Sequence, residues 1–185
     1  MASGVFVCAQ TKYARYARVV QADVDPLTTD PLALDRQVCF ALTVAGRVVV
    51  QFYRPILEPL GLTHPQYLVM LALWERAPRR FGDVAGTLHL DPATLTPLVR
   101  RLESMGLVQR RRALDDERAV ELSPTEAGLQ LRERATAVPR EVLTRLEMPI
   151  ADLERVRDDL NTLIAAIEVA DGRPSVSAAR ASAPT

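Results

Sequence analysis

The stretch Leu90-Asp91-Pro92-Ala93-Thr94-Leu95-Thr96-Pro97-Leu98-Val99-Arg100-Arg101-Leu102-Glu103 decides how this chain of 185 residues is read. It reads as a helix rich in threonine and arginine, with Gly106 as its C-terminal stop. Two starts are open. Asp91 with Pro92 and Thr96 with Pro97 are both cap-plus-proline pairs, and a start at Asp91 makes Pro97 forfeit one backbone bond just past the first turn. Downstream, Leu107 to Arg112 reads as a strand and Ala119 to Leu122 as its antiparallel mate, with a polar, charged loop between them. Upstream, a short helix is expected from about Gly82 to Leu88. Before it, Thr63-His64-Pro65-Gln66 has the form of a capping box opening a helix through Tyr67, Leu71 and Trp74 to about Arg76, where Pro78 closes it.

Two helices, a Thr- and Arg-rich helix, then a hairpin with a charged tip make up a winged helix-turn-helix: mainly α, with a small β-hairpin wing (α+β). Working outward, Leu34, Val38, Ala41, Leu42, Ala45, Val48, Val49, Phe52, Ile56 and Leu57 recur at helical spacing and predict one long helix. Its apolar stripe is wide enough to pack on its own domain and on a partner, so this helix and the last one are expected to form the interface of a two-fold symmetric dimer. Ser123-Pro124-Thr125-Glu126 reads as a second capping box, with proline at the first helical position and a helix to about Ala137. A last amphipathic helix is expected from about Ile150 to Val169. The organisation is then a weakly ordered extension over 1–30, a domain over 31–170 with its DNA-binding part at about 63–123, and a disordered tail over 171–185.

Composition sets bounds without naming a function. The formal net charge is +0, so any surface for nucleic acid must come from local clustering. All but Lys12 of the 23 basic residues are arginine. Two cysteines argue against a disulfide framework or a Cys-rich zinc site, and no cofactor or metal is expected. There is no secretory signal pattern, since Val5–Ala9 is too short for an apolar core. The Val38–Leu57 run is broken by Arg47, Gln51 and Arg54, so it reads as a buried helix and a poor membrane span; the cytoplasm is the default location.

The expected DNA interface follows from groove chemistry. A helix fits the major groove while basic groups beside it neutralise phosphates. Thr94 and Thr96 lie near the leading end, where base edges are reached; Arg100 and Arg101 lie further along, for phosphate or guanine. Arg110, with Arg111 and Arg112, charges the wing strand, and Arg118 suits a narrow minor groove, with Asp116 pairing and orienting it. An arginine run alone is more often a solvated face. The helix-helix-hairpin order is what favours DNA.

These residues also carry a resemblance. Leu90-Asp91, Thr94-Leu95-Thr96-Pro97-Leu98 and Arg101-Leu102-Glu103 resemble the recognition helix of MarR-family regulators, Asp115-Asp116-Glu117-Arg118 the family's wing, and Leu122-Ser123-Pro124-Thr125-Glu126-Ala127-Gly128 its exit. Gln37-Val38-Cys39-Phe40-Ala41-Leu42, Tyr53-Arg54-Pro55-Ile56-Leu57 and Pro65-Gln66-Tyr67-Leu68-Val69-Met70 with Leu73-Trp74-Glu75 are similar to the organic hydroperoxide repressors, the OhrR type. The match covers roughly Leu32 to Pro139.

The resemblance gives Cys39 a role that its neighbours alone do not. A lone cysteine in an apolar stripe is most often an inert small hydrophobe. In the resembled family the cysteine of this motif becomes a sulfenic acid, supported by two tyrosines from the other subunit. One position corresponds to Tyr53; the other holds His64, a departure from the pattern, and a histidine can still donate to a thiolate, more strongly if protonated. The histidine can equally be a plain occupant of its capping box. No cysteine follows Cys39, so a low-molecular-weight thiol is the expected partner of the sulfenic acid, with Cys8 a lesser candidate.

The implied function is a homodimeric repressor on a pseudo-palindromic operator in double-stranded DNA, released by organic hydroperoxide. The main rival keeps the fold and replaces the redox chemistry with a phenolic or other small ligand in the interface pocket. A staphylococcal-style global regulator is a close variant of it. A protein-binding winged helix would show no salt-dependent DNA affinity. Enzyme chemistry has no support in the sequence: His64 and His89 are the only histidines, and there is no glycine-rich phosphate loop.

Overall fold

The computed structural model describes residues 30, 32–113, 116 and 119–172. The expected N-terminal extension, most of the expected tail, Cys8, Asp115, Glu117 and Arg118 lie outside the described residues. The chain divides into two units between Gln51 and Phe52.

In the first unit a single 3-10 turn, Leu34–Arg36, is followed by Gln37 in an extended conformation. Helix α1, Val38–Leu57, therefore starts later than the apolar pattern that begins at Leu34. It is also not the buried helix that its composition suggests. Only Ile56 and Leu57, both in the second unit, are buried, while Val38, Leu42, Val49 and Val50 are exposed. Among the described residues the first unit holds only the 3-10 turn and this helix, so it has no element of its own to lay against the stripe. By length and composition alone Val38–Leu60 would suit a membrane span, as a core helix of a non-membrane protein can.

The second unit holds the remaining elements: a 3-10 turn (Glu58–Leu60), α2 (His64–Glu75), β1 (Arg79–Arg80), α3 (Phe81–Thr87), α4 (Pro92–Ser104), β2 (Val108–Arg112), β3 (Val120–Pro124), α5 (Glu126–Ala135), α6 (Val138–Leu146) and α7 (Ile150–Ala170). Helix α2 begins where the capping box predicts, with the Thr63 N–H donating to Gln66 Oε1 at 2.9 Å. The two open starts of α4 resolve to Asp91, whose carboxylate accepts from the Thr94 N–H at 2.8 Å. Pro92 then occupies the first turn, where its missing N–H costs nothing, and Pro97 lies inside the helix.

Three features depart from the sequence reading. The wing is not a lone hairpin: Arg79 and Arg80 form a third strand, giving an antiparallel sheet of order β1-β3-β2. The second capping box does not form at Ser123. Pro124 pairs with Val108 in the ladder and the Thr125 N–H donates to Leu107 O at 3.0 Å, so the chain stays extended for two more residues. Thr125 is the cap instead: its hydroxyl accepts from the Gly128 N–H at 3.1 Å and donates to Gly106 O at 2.5 Å. Finally, the segment between the second capping motif and the last helix contains a further helix, α6, with Pro139 tolerated in its first turn.

The core of this unit lies between α2, α3, α4 and the sheet. Met70, Leu73, Val84, Leu95, Leu102 and Leu122 are fully buried there. Helix α5 approaches so closely that a Cβ added to Gly128 would stand 2.2 Å from Leu107 O. The Gly128 carbonyl in turn accepts from Trp74 Nε1 at 2.9 Å.

Candidate DNA interface and thiol site

Helix α4 turns Leu95, Val99 and Leu102 into the core and leaves Thr94, Arg100 and Arg101 on the surface. At about 100° per residue, Thr94 and Arg101 share one flank of the exposed face and Thr96 and Arg100 the other. The two threonines are therefore not equivalent. Thr94 is exposed and its hydroxyl donates to Asp91 Oδ2 at 2.8 Å. Thr96 is half-buried and lines an open cleft of about 490 Å³ with Arg80, Phe81 and Arg110; its hydroxyl donates to Pro92 O at 2.6 Å.

Arg110 is brought to α4 rather than left as a free wing charge. Its Nε lies 3.4 Å from Glu103 Oε2, and its guanidinium sits 5.6 Å over the Phe81 ring. It ties β2 to both α3 and α4. Arg111 reaches Gln109 Oε1 at 3.2 Å. Asp116 is exposed at the wing, and its carbonyl accepts from the Ala119 N–H at 2.9 Å; Arg118, its expected partner, is outside the described residues.

Arg79 was not singled out by sequence. It is buried, and its guanidinium donates to Ala72 O at 3.0 Å, Glu75 Oε2 at 3.4 Å and Thr87 Oγ1 at 2.6 Å. One side chain thus joins the C-terminal end of α2 to the end of α3 and fixes the frame from which α4 projects. Only its place beside Pro78 and before a short helix distinguishes it in the sequence. That is too little to separate it from Arg76 or Arg80.

In the first unit Cys39 is exposed in the first turn of α1, and its carbonyl accepts from Thr43 Oγ1 at 2.7 Å. In the second unit Tyr53 and His64 come together edge to face, with ring centroids 4.9 Å apart. The array continues from Tyr53 to Tyr67 at 6.3 Å and from Tyr67 to Trp74 at 6.4 Å. Burial holds the His64 imidazole below its ordinary pKa and pushes both tyrosines up, Tyr67 further through its proximity to Tyr53. At neutral pH the pair therefore offers a phenol O–H and a neutral ring N–H as donors, without the extra strength of a protonated histidine. Among the described residues no cluster of three His, Cys, Asp or Glu is placed to hold a metal.

Residues 51–134 match the family model of the SarA/Rot transcriptional regulators. The organic hydroperoxide resistance transcriptional regulator of Bacillus subtilis (strain 168) is 38% identical over 135 residues, covering 73% of this chain and 92% of the relative. Among solved structures, reduced AbfR bound to DNA is 27% identical with a TM-score of 0.60, covering 85% of this chain and 98% of that one. CouR from Rhodococcus jostii RHA1 bound to p-coumaroyl-CoA is 30% identical with a TM-score of 0.62, covering 71% and 94%. Together with the winged helix-turn-helix geometry, these likenesses show that the chain belongs to the MarR family of transcriptional regulators, in its organic hydroperoxide regulator branch.

Proposed function

We propose that the chain is a homodimeric repressor in the cytoplasm that releases its operator when organic hydroperoxide oxidises Cys39. The observation that carries this reading is the exposed thiol in the first turn of α1, on a helix whose apolar face a single chain leaves uncovered. In the resembled repressors two side chains of the other subunit support this thiol, and the corresponding positions here are Tyr53 and His64, which pack together in the second unit. The thiolate attacks one peroxide oxygen, so that an S–O bond forms, the O–O bond breaks and the alkoxide leaves as the alcohol after taking a proton. The sulfenic acid then condenses with a small thiol, forming a mixed disulfide and releasing water.

On DNA, the Thr94 and Thr96 flanks of α4 enter the major groove. Arg100 and Arg101 contact phosphate or guanine edges, Arg118 reaches the minor groove and Asp116 orients it. Arg110 acts as a strut between wing and helix as much as a phosphate contact, given its Glu103 and Phe81 neighbours. The two recognition helices of the dimer meet half-sites about one helical turn apart.

Fluorescence anisotropy on the chain's own upstream DNA, before and after cumene hydroperoxide plus a small thiol, tests the reading. Binding is expected to weaken by at least about tenfold, the 1.4 kcal/mol that a modest allosteric coupling supplies. Cys39→Ser should bind DNA equally well and ignore the oxidant. A Cys39→Ser protein that still lets go on oxidation overturns the redox mechanism.

A second reading is favoured by the aromatic array Tyr53–His64–Tyr67–Trp74 and by the likeness to CouR with its bound acyl-CoA. It makes the chain a regulator controlled by a phenolic or related ligand beside that array. It predicts DNA binding that survives peroxide and responds instead to the ligand.

A further inference from the structure

The hydrogen bonds around the leading end of α4 constrain which base atoms it can read. A hydroxyl has one proton to donate and lone pairs to accept with. The Thr94 proton is engaged by Asp91 Oδ2 at 2.8 Å, and the other carboxylate oxygen takes the Thr94 N–H at 2.8 Å. Those two bonds hold the Asp91 carboxyl below the usual carboxylate range, the hydroxyl bond contributing most, so at neutral pH it is an acceptor only. Both residues are exposed. Freeing the hydroxyl to donate elsewhere would break a charge-assisted bond, which is about twice as strong as a neutral one.

What the Asp91–Thr94 pair shows to a groove is therefore lone pairs and one methyl group. The major-groove edges divide cleanly on that criterion. Cytosine offers its N4 amino group and adenine its N6 amino group beside the N7 acceptor, whereas guanine offers the N7 and O6 acceptors and thymine the O4 acceptor with a methyl. An acceptor-only reader is matched by the amino-bearing bases. It favours cytosine, because adenine also presents N7 to the same lone pairs. Arg101, seven residues on and on the same flank, carries donors only and suits the opposite class.

We propose that Thr94, held by Asp91, is a specificity-determining residue that accepts from the exocyclic amine of a cytosine, or secondarily an adenine, in each half-site. This rests on the DNA-binding reading above and adds the chemistry of one contact to it.

The test is a coupling experiment between protein and base. Selection from a random duplex pool with wild-type protein and with Thr94→Val, which keeps the shape and removes the oxygen, identifies the base pair whose preference depends on Thr94. Anisotropy is then measured with the amino group at that pair deleted, by 2-pyrimidinone in place of cytosine or purine in place of adenine. A parallel duplex carries 7-deazaguanine, which removes the N7 acceptor. Loss of the amine should weaken wild-type binding about 3- to 10-fold, the worth of one hydrogen bond, and should leave Thr94→Val unaffected. Thermal melting of Thr94→Val verifies that the fold is intact.

Coupling to 7-deazaguanine in place of the amine would overturn the proposal by showing that Thr94 donates. No coupling to either analogue would overturn it by showing that Thr94 does not read a base. Failure of the wild-type protein to enrich any sequence, with no salt-dependent affinity, would instead strike the DNA-binding reading itself.

Discussion

Helices α1 and α4 carry apolar stripes of the same period, and they meet opposite fates. In α4 the stripe residues Leu95, Val99 and Leu102 are 0% exposed, enclosed by the elements of their own unit. In α1, Val38 is 60% exposed and Val50 44%. A hydrophobic period states that a face must be covered and is silent about what covers it. Helix α4 is short and sits among α2, α3 and the sheet, whereas α1 is 20 residues long with one end in each unit. The uncovered stripe is what makes a second copy of the chain the natural complement.

The contrast can be broken most sharply in the core. Leu102→Ala leaves a cavity where no exposure existed and should cost about 2–5 kcal/mol, read by urea or thermal melting. Leu42→Ala on α1 should leave the melting of dilute, dissociated protein within about 0.5 kcal/mol of wild type. It should instead raise the dimer dissociation constant roughly 5- to 30-fold, the effect of about 1–2 kcal/mol at an interface, as seen by sedimentation. Equal destabilisation of the dissociated chain by the two substitutions would dissolve the distinction.

The enclosed side has a second, smaller vulnerability. Gly128→Ala puts a methyl 2.2 Å from Leu107 O, a backbone atom that cannot swing aside. Helix α5 must shift, stretching the Trp74 bond to Gly128 O, at a cost of about 1–3 kcal/mol. A red shift of Trp74 emission in the folded variant would report the movement, while an unchanged melt and spectrum would show that α5 has room.

The smallest effect is in the aromatic array. Because burial disfavours the His64 imidazolium in the folded chain, the unfolded chain binds more protons once pH drops below about 6.5, the ordinary histidine value. Stability should therefore fall on going from about pH 7 to about pH 5. His64→Gln should flatten that slope in paired urea titrations. A slope identical in both proteins would mean that the folded imidazole is as well hydrated as the free one.

The elements that were legible in the sequence share a cause. Helix α2, the start of α4 at one of its two open cap-plus-proline pairs, Asp91 with Pro92, and the stop at Gly106 are set by groups a few residues apart. Such bonds form in much the same way whatever surrounds them. The sequence reading placed Thr94 at the leading end of α4 for base-edge contact, and the structure adds its bond to Asp91 three residues away. Tyr53 and His64, eleven positions apart and on different helices, were paired only through the family resemblance, and their 4.9 Å ring contact is a tertiary fact.

By itself, then, the sequence determined the helix-turn-helix order, the capping box at Thr63 and the presence of one thiol near the head of α1. Tertiary structure decided the rest. A two-residue strand such as Arg79–Arg80 has no period to detect and exists only because β3 offers an open edge. Thr125 displaced Ser123 as the cap because pairing with β2 held Pro124 extended, and ladder bonds outweigh a local preference. Arg110 became a strut because folding set Glu103 and Phe81 beside it. In each case the deciding partner is distant in the chain or in another layer of the fold, and local chemistry carries no record of it.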